Sequence, residues 1–97
     1  MGKVVTMVRA RIAPERENEV IGPYQESVRA GLPPFIEETF LLRDDEGSLM
    51  IASIWRSRED LDAMLASGEE PFARTLLREA GGRPEAQFFD VIEHAKG

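Results

Sequence analysis

Apolar positions recur along the chain with two periods, and their succession predicts an order of elements. Lys3 to Ile12 (KVVTMVRARI) is a β-rich run. It is apolar on both faces at its start and alternates at its end, where Arg9 and Arg11 intervene. Pro14 stops the run and suits the first turn of a helix, where a missing N–H costs nothing. Glu15, Glu17 and Glu19 follow, and negative charge near a helix start complements the macrodipole. Val20, Ile21, Tyr24, Val28 and Leu32 then repeat at helical spacing and predict one buried stripe. Gly22-Pro23 interrupts it. Proline in a helix interior removes a hydrogen bond and costs about 3 kcal/mol, so a kink or a restart at Pro23 is expected. Gly31 is expected to cap the helix end.

Two further β-runs, Phe35 to Arg43 and Ser48 to Arg56, flank the polar turn Asp44-Asp45-Glu46-Gly47 and read as an antiparallel hairpin. Ser57 with Asp60 three residues later is a capping-box pattern, with Asp in place of the usual Glu or Gln. Leu61, Met64 and Leu65 give the helix behind it an apolar stripe, and Gly68 ends it. Pro71 marks the first position of another short helix, with Phe72, Leu76, Leu77 and Ala80 as its expected buried face and Gly81-Gly82 as its end. Glu85 to His94 (EAQFFDVIEH) reads as a fourth strand.

The order β-α-β-β-α(α)-β matches the ferredoxin-like split βαβ arrangement. The expected fold class is therefore α+β, a four-stranded antiparallel sheet with helices on one face. A sheet solvated on its second face should alternate apolar with polar residues. These strands instead carry Val4-Val5, Phe40-Leu41-Leu42, Leu49-Met50-Ile51 and Phe88-Phe89. The second face is too apolar to stay in water. A ligand or another subunit is expected to cover it, and a homodimer joined sheet to sheet is the simplest arrangement.

Composition narrows the function. A chain of 97 residues with 42% apolar and 31% charged positions has the make-up of one globular domain, 1–97, rather than of a disordered chain. No apolar run approaches the ~20 residues of a membrane span. Met1-Gly2-Lys3-Val4-Val5 lacks the apolar stretch and cleavage site of a signal peptide. A cytoplasmic location is the default expectation. The net charge of −6 disfavours nucleic acid and anionic membranes as partners. With no cysteine, thiolate chemistry is excluded. His94 is the single histidine and Glu93 beside it faces the other way on a strand, so no metal site is expected. There is no G-x-G-x-x-G, no G-x-x-x-x-G-K-[ST] and no G-x-S-x-G.

Several residues have two readings. Trp55 packs at a strand end with its indole N–H bonded to backbone or water, or it stacks on a planar substrate. Tyr24 presents either a satisfied core hydroxyl or a donor to a substrate oxygen. Arg9 and Arg11 share one strand face. They form ion pairs with Glu37 or Asp90, or they anchor a phenolate or carboxylate. Met7, Met50 and Met64 are adaptable linings or plain core. The adjacent Glu37 and Glu38 cannot form an acid/base dyad, because neighbours on a strand face opposite ways.

A local pattern carries a resemblance. The third strand ends in Trp55, Arg56-Ser57-Arg58-Glu59-Asp60-Leu61 opens a helix, and a Gly68 to Pro71-Phe72 break precedes the next. With the length and element order, residues 3 to 94 resemble the dimeric α/β-barrel superfamily, and within it the antibiotic-biosynthesis-monooxygenase-like domains. The resemblance implies a homodimer, a pocket between sheet and helices in each subunit, and a small hydrophobic ligand. Members of the family oxidise aromatic polyketides without flavin or metal, so no cofactor is expected. The haem-degrading branch uses an Asn, a Trp and a His. Here the first strand carries Thr6 and Met7, Met64 and Leu76 stand near the Trp and His positions, and the only Asn is Asn18. Haem degradation is therefore not expected. The leading reading is a cofactor-independent monooxygenase acting on a planar hydrophobic or quinol-like molecule. Tyr24, Met50, Trp55 and Phe72 are its expected cavity wall, Arg9 and Arg11 are its anion anchors, and no residue is assigned as catalytic. The alternative is a non-catalytic small-molecule-binding or stress-associated dimeric module. A third reading is a structural dimer whose own side chains fill the cavity.

Overall fold

The computed structural model describes residues 2–97. Strand β1 (Val4–Arg11) is followed by a single 3-10 turn at Pro14–Arg16 and helix α1 (Asn18–Ala30). The hairpin strands β2 (Ile36–Arg43) and β3 (Ser48–Trp55) come next, then helices α2 (Arg58–Ala66) and α3 (Phe72–Glu79), then strand β4 (Glu85–Asp90). The strands form one sheet in the order β2-β3-β1-β4, with every neighbouring pair antiparallel. This is the ferredoxin-like α+β topology. No helix among the described residues is long and apolar enough to cross a membrane.

Local chemistry explains most element ends. The Asp44 carboxylate accepts hydrogen bonds from the backbone N–H groups of Glu46 and Ser48, both at 2.9 Å. Gly47 supplies the left-handed φ of 86° that closes the hairpin. Ser57 Oγ accepts from the Asp60 N–H at 3.2 Å and donates to the Asp60 carboxylate at 2.9 Å. The Arg56 guanidinium donates to both oxygens of that carboxylate. Gly31, with φ of 104°, ends α1.

Two expectations about the helices and strands are corrected, and of the two alternatives at Pro23 one is removed. Helix α1 runs through Pro23 as one element, without a restart. Pro23 is exposed, and Gly22 before it offers no Cβ to clash with its ring. The α1 stripe is not buried as a whole. Val20 is fully buried, whereas Val28 and Leu32 are exposed. Strand β4 stops at Asp90, and after one more bond from the Val91 N–H to the Lys3 carbonyl the chain leaves the sheet. His94 therefore lies in the exposed tail, not on a strand.

Register assigns the faces. On β1, Val4, Thr6, Val8 and Ala10 point toward the helices, opposite Trp55, Ser53, Ile51 and Leu49 of β3. On β2, Thr39 is three positions after Ile36, so simple alternation would put them on opposite faces. An irregularity between Ile36 and Glu38 absorbs one residue, and both pair with helix-side residues of β3. The helix-side core falls into two clusters. One joins Val8, Ala10, Ile12, Leu49 and Ile51 to Val20 of α1 and to Leu76, Leu77 and Ala80 around α3. The other joins Val4, Trp55 and Leu61 at the opposite end of the sheet.

Gly82 is pressed against the first cluster. A Cβ at Gly82 would stand 2.7 Å from Ala10 Cβ and 2.8 Å from Ile12 Cδ1. Gly82→Ala is expected to cost about 1–3 kcal/mol through overpacking. Pro23→Ala is expected to act in the opposite sense, raising stability by about 1 kcal/mol or more as a helix-interior N–H is restored on an exposed face. Urea unfolding of the two variants beside the wild type checks both signs.

Candidate functional site

Between the two core clusters the helices stand away from the sheet and leave a cavity of about 670 Å³. Its floor is one transverse row of the sheet, in which Thr39, Ser53, Thr6 and Phe88 lie side by side on β2, β3, β1 and β4. Val28 of α1 and Leu32 just beyond its cap, both exposed, line it from above. Trp55 and Phe35 form one end, with rings stacked at 5.2 Å between centroids and 14° between planes. Ligand cavities usually measure about 300–1,000 Å³. A cavity of this size is not filled by its own side chains.

The polar atoms of the floor bond to one another. Trp55 Nε1 donates to Thr6 Oγ1 at 2.9 Å. Tyr24 Oη donates to Thr39 Oγ1 at 3.0 Å, and Thr39 Oγ1 and Ser53 Oγ lie 3.3 Å apart with either able to donate. Among the described residues, no buried side-chain nitrogen or oxygen lacks a partner. The charged residues of the lining, Glu69, Glu70 and Arg74, all come from the short segment that opens α3. Glu70 is held there by the Arg78 guanidinium at 2.8 Å and by the Thr75 hydroxyl at 2.7 Å. Arg78 and then Thr75 lower its carboxyl from the ordinary 4.5 to about 2.

Tyr24, Trp55 and Phe72 all line this cavity. Trp55 is buried and its N–H goes to a side-chain hydroxyl rather than to backbone or water. Phe72 is about half exposed at 51%, so it is not a core residue of α3. Met50 is corrected. It pairs with Arg9 and Leu42, one residue out of phase with the buried Leu49 and Ile51, and stands on the opposite face of the sheet. Arg9 and Arg11 are on that same open face, so they cannot anchor an anion in this cavity. Arg9 reaches Asp44 at 3.4 Å, whereas Glu37 and Asp90 pair with Lys3 and Arg58. Among the described residues, no three His, Cys, Asp or Glu side chains gather as a metal site would need.

The residues that sequence reasoning missed are the three hydroxyls of the floor. Thr6 and Ser53 are readable as polar side chains within apolar strands, whereas Thr39 is out of phase with Ile36 until the irregularity in β2 is known. Their alignment depends on the register and on the irregularity in β2, which composition and period do not reveal.

No family model and no curated protein matches the chain in sequence. Solved structures do match it in shape. SnoaB, a cofactor-independent oxygenase from Streptomyces nogalater, superposes with a TM-score of 0.66 at 20% identity, covering 97% of each chain. A candidate antibiotic biosynthesis monooxygenase from Deinococcus radiodurans gives 0.70 at 11% identity over 96% of each chain. A protein of unknown function from Nitrosomonas europaea gives 0.72 at 15% identity over 100% of this chain and 96% of that one. The chain has the fold of the antibiotic-biosynthesis-monooxygenase-like domains. At these identities the likeness is one of fold, and the chemistry of a monooxygenase-like fold has to be argued from its own cavity.

Glu70 sets a pH dependence at the cavity rim. Its folded value lies below its unfolded one, so its contribution to stability is complete above about pH 4.5 and is lost as pH falls toward 2. Arg78→Gln is expected to lower stability at neutral pH, to flatten the fall between pH 4.5 and 2, and to match the wild type at the acid end. Urea midpoints measured across this range, at low and high salt, check the effect, which salt should shrink because the pair is partly exposed.

Proposed function

We propose that the chain is a homodimeric cofactor-independent monooxygenase whose substrate is a planar hydrophobic or quinol-like molecule held in the helix-side cavity. The observation that carries this reading is the cavity itself. It is about 670 Å³, apolar around the stacked Trp55 and Phe35, and floored by neutral hydroxyls. Its likeness in fold to the oxygenase SnoaB points the same way. An electron-rich phenol in such a cavity supplies the electrons for its own oxidation. A ring C–H becomes a quinone C=O, one atom of dioxygen enters the product, and the second leaves as water together with the ring and hydroxyl hydrogens. The protein contributes orientation and a dry wall. In this reading Tyr24, Trp55 and Phe72 contact the substrate.

The alternative is a non-catalytic binding or stress-associated module with the same cavity. What favours it is the floor, where every polar group is a neutral hydroxyl or an indole N–H and the charged lining is confined to the start of α3. Oxygen uptake with a panel of hydroquinones and hydroxynaphthalenes separates the two. Uptake that saturates with substrate and is abolished by Trp55→Ala supports the oxygenase. Tight binding without uptake selects the binding module.

The dimer rests on the open face of the sheet. Val5, Met7, Ile54, Phe40, Leu42 and Phe89 lie on it together, and the last three remain 40–46% exposed. Contiguous apolar area of this kind marks an interaction surface. A second copy covers it through a two-fold axis, with the central β1–β3 pair at its middle. Met7→Glu at that centre is expected to weaken association about 100-fold, since it buries unpaired like charges. Sedimentation equilibrium reads the result. A wild-type monomer at tens of micromolar would overturn the dimer.

A further inference from the structure

The floor of the cavity has more hydrogen-bond donors than its internal bonds use. Tyr24, Thr39, Ser53 and Thr6 supply four hydroxyl protons, and Trp55 supplies one N–H. Tyr24 donates to Thr39, Thr39 and Ser53 share one bond, and Trp55 donates to Thr6. Two hydroxyl protons remain. One belongs to the Thr39–Ser53 pair and the other to Thr6, which donates to no described residue. Thr6 is 7% exposed, and what it faces is the cavity.

Geometry brings these two protons together. Thr6 and Ser53 are direct cross-strand partners on the helix side of β1 and β3. Side chains so paired carry Cβ atoms about 4.5–5.5 Å apart. Their hydroxyls are not bonded to each other, so a single oxygen about 2.7–2.8 Å from each can sit between them. Such an oxygen also fixes the direction of the ambiguous bond. Thr39 then accepts from Tyr24 and donates to Ser53, which leaves the Ser53 proton for the ligand. Two polarised series of hydrogen bonds converge, from Tyr24 through Thr39 and Ser53 on one side and from Trp55 through Thr6 on the other. Each donor is strengthened by the one behind it.

We infer that Ser53 and Thr6 form a two-donor anchor for one acceptor oxygen, a quinone carbonyl or a phenolate, on a planar aromatic ligand. The inference rests on the cavity-binding reading above and names the ligand feature that reading leaves open. It replaces the arginine anchors, which the sheet places on its other face. A phenol bound there reaches its anionic form more easily, releasing its proton to the water at the cavity mouth, because the neutral hydroxyls stabilise the oxygen's charge. Thr39 is a positioning residue that acts through this pair, and Tyr24 and Trp55 support it through their hydrogen bonds in addition to their contact with the ligand.

The test compares 1,4-naphthoquinone with 1,4-dimethylnaphthalene, which has the same outline and no oxygen. The chain has no cysteine for the quinone to alkylate. Equilibrium dialysis measures both affinities on the wild type and on Thr6→Val, Ser53→Ala, the double variant of the two and Thr39→Val. The quinone-to-hydrocarbon affinity ratio of the wild type is expected to lie about tenfold above that of the Thr6→Val/Ser53→Ala double variant, the worth of two net hydrogen bonds. Thr6→Val and Ser53→Ala should each remove most of that excess. Thr39→Val should reduce it by a smaller factor. The hydrocarbon's affinity should stay within about twofold throughout, which also shows that each variant keeps its cavity. A ratio left unchanged by both Thr6→Val and Ser53→Ala overturns the anchor and leaves the cavity reading standing. Binding of neither probe overturns the cavity reading and the anchor with it.

Discussion

The helix side of the sheet presents its side chains in transverse rows, and one of those rows cannot be core. Val8, Ile51 and Leu41 form an apolar row, and so do Val4, Trp55 and Ile36. Between them lie Thr6, Ser53 and Thr39. A hydroxyl placed against hydrocarbon with no partner costs about 1–3 kcal/mol. These groups are instead bonded to one another, to Tyr24 and to Trp55, while the helices gather over the apolar rows. Helix α1 packs its buried Val20 at one end, and Val28 in its last turns, with Leu32 just beyond its cap, lines open space. The cavity follows from the interrupted core.

The same sheet separates two tasks by parity. Even positions of β1 serve the core and the cavity, while odd positions carry Val5, Met7, Arg9 and Arg11 on the open face. Met50 belongs with the odd set because β3 pairs with β1 residue for residue, so Arg9 faces Met50 and Val8 faces Ile51. Charge is distributed by the same rule. The ion pairs of Arg9 with Asp44 and Lys3 with Glu37 involve partly exposed side chains. The cavity floor is neutral, and one of the two carboxylates of the lining, Glu70, is kept ionised by Arg78.

The element order, the hairpin, the Ser57 cap and the doubly apolar sheet were all legible because each depends on local residue types and periods. The site was legible only in part. Tyr24 and Trp55 stand out as large amphipathic side chains on apolar stripes. Thr6 and Ser53 look like ordinary strand residues until β1 and β3 are set in register. Thr39 was hidden further, since counting by twos from Ile36 sends it to the wrong face, and only the irregularity near Glu37 returns it. Met50 was misplaced for the converse reason. In the run Leu49-Met50-Ile51 every residue is apolar, so alternation gives no sign of which one faces the helices. The β4 end was overrun because Val91 and Ile92 continue an apolar pattern after the pairing with β1 has ended.

A neutral floor suits a small domain better than a charged one. A buried guanidinium would bind a phenolate strongly, but when the cavity is empty it would stand unpaired in an apolar wall, at a cost of several kcal/mol. A domain of 97 residues has a total stability of roughly 5–15 kcal/mol. It has already surrendered one row of its core to the cavity. Hydroxyls that satisfy one another in the empty state avoid the charge penalty and still turn two protons toward an incoming oxygen. Burial of the open face in the proposed dimer adds apolar area on the other side of the same strands, and this stabilises the folded chain by mass action. Association on one face thereby offsets the incomplete core on the other, which ties the cavity to the dimer although no side chain need pass between them.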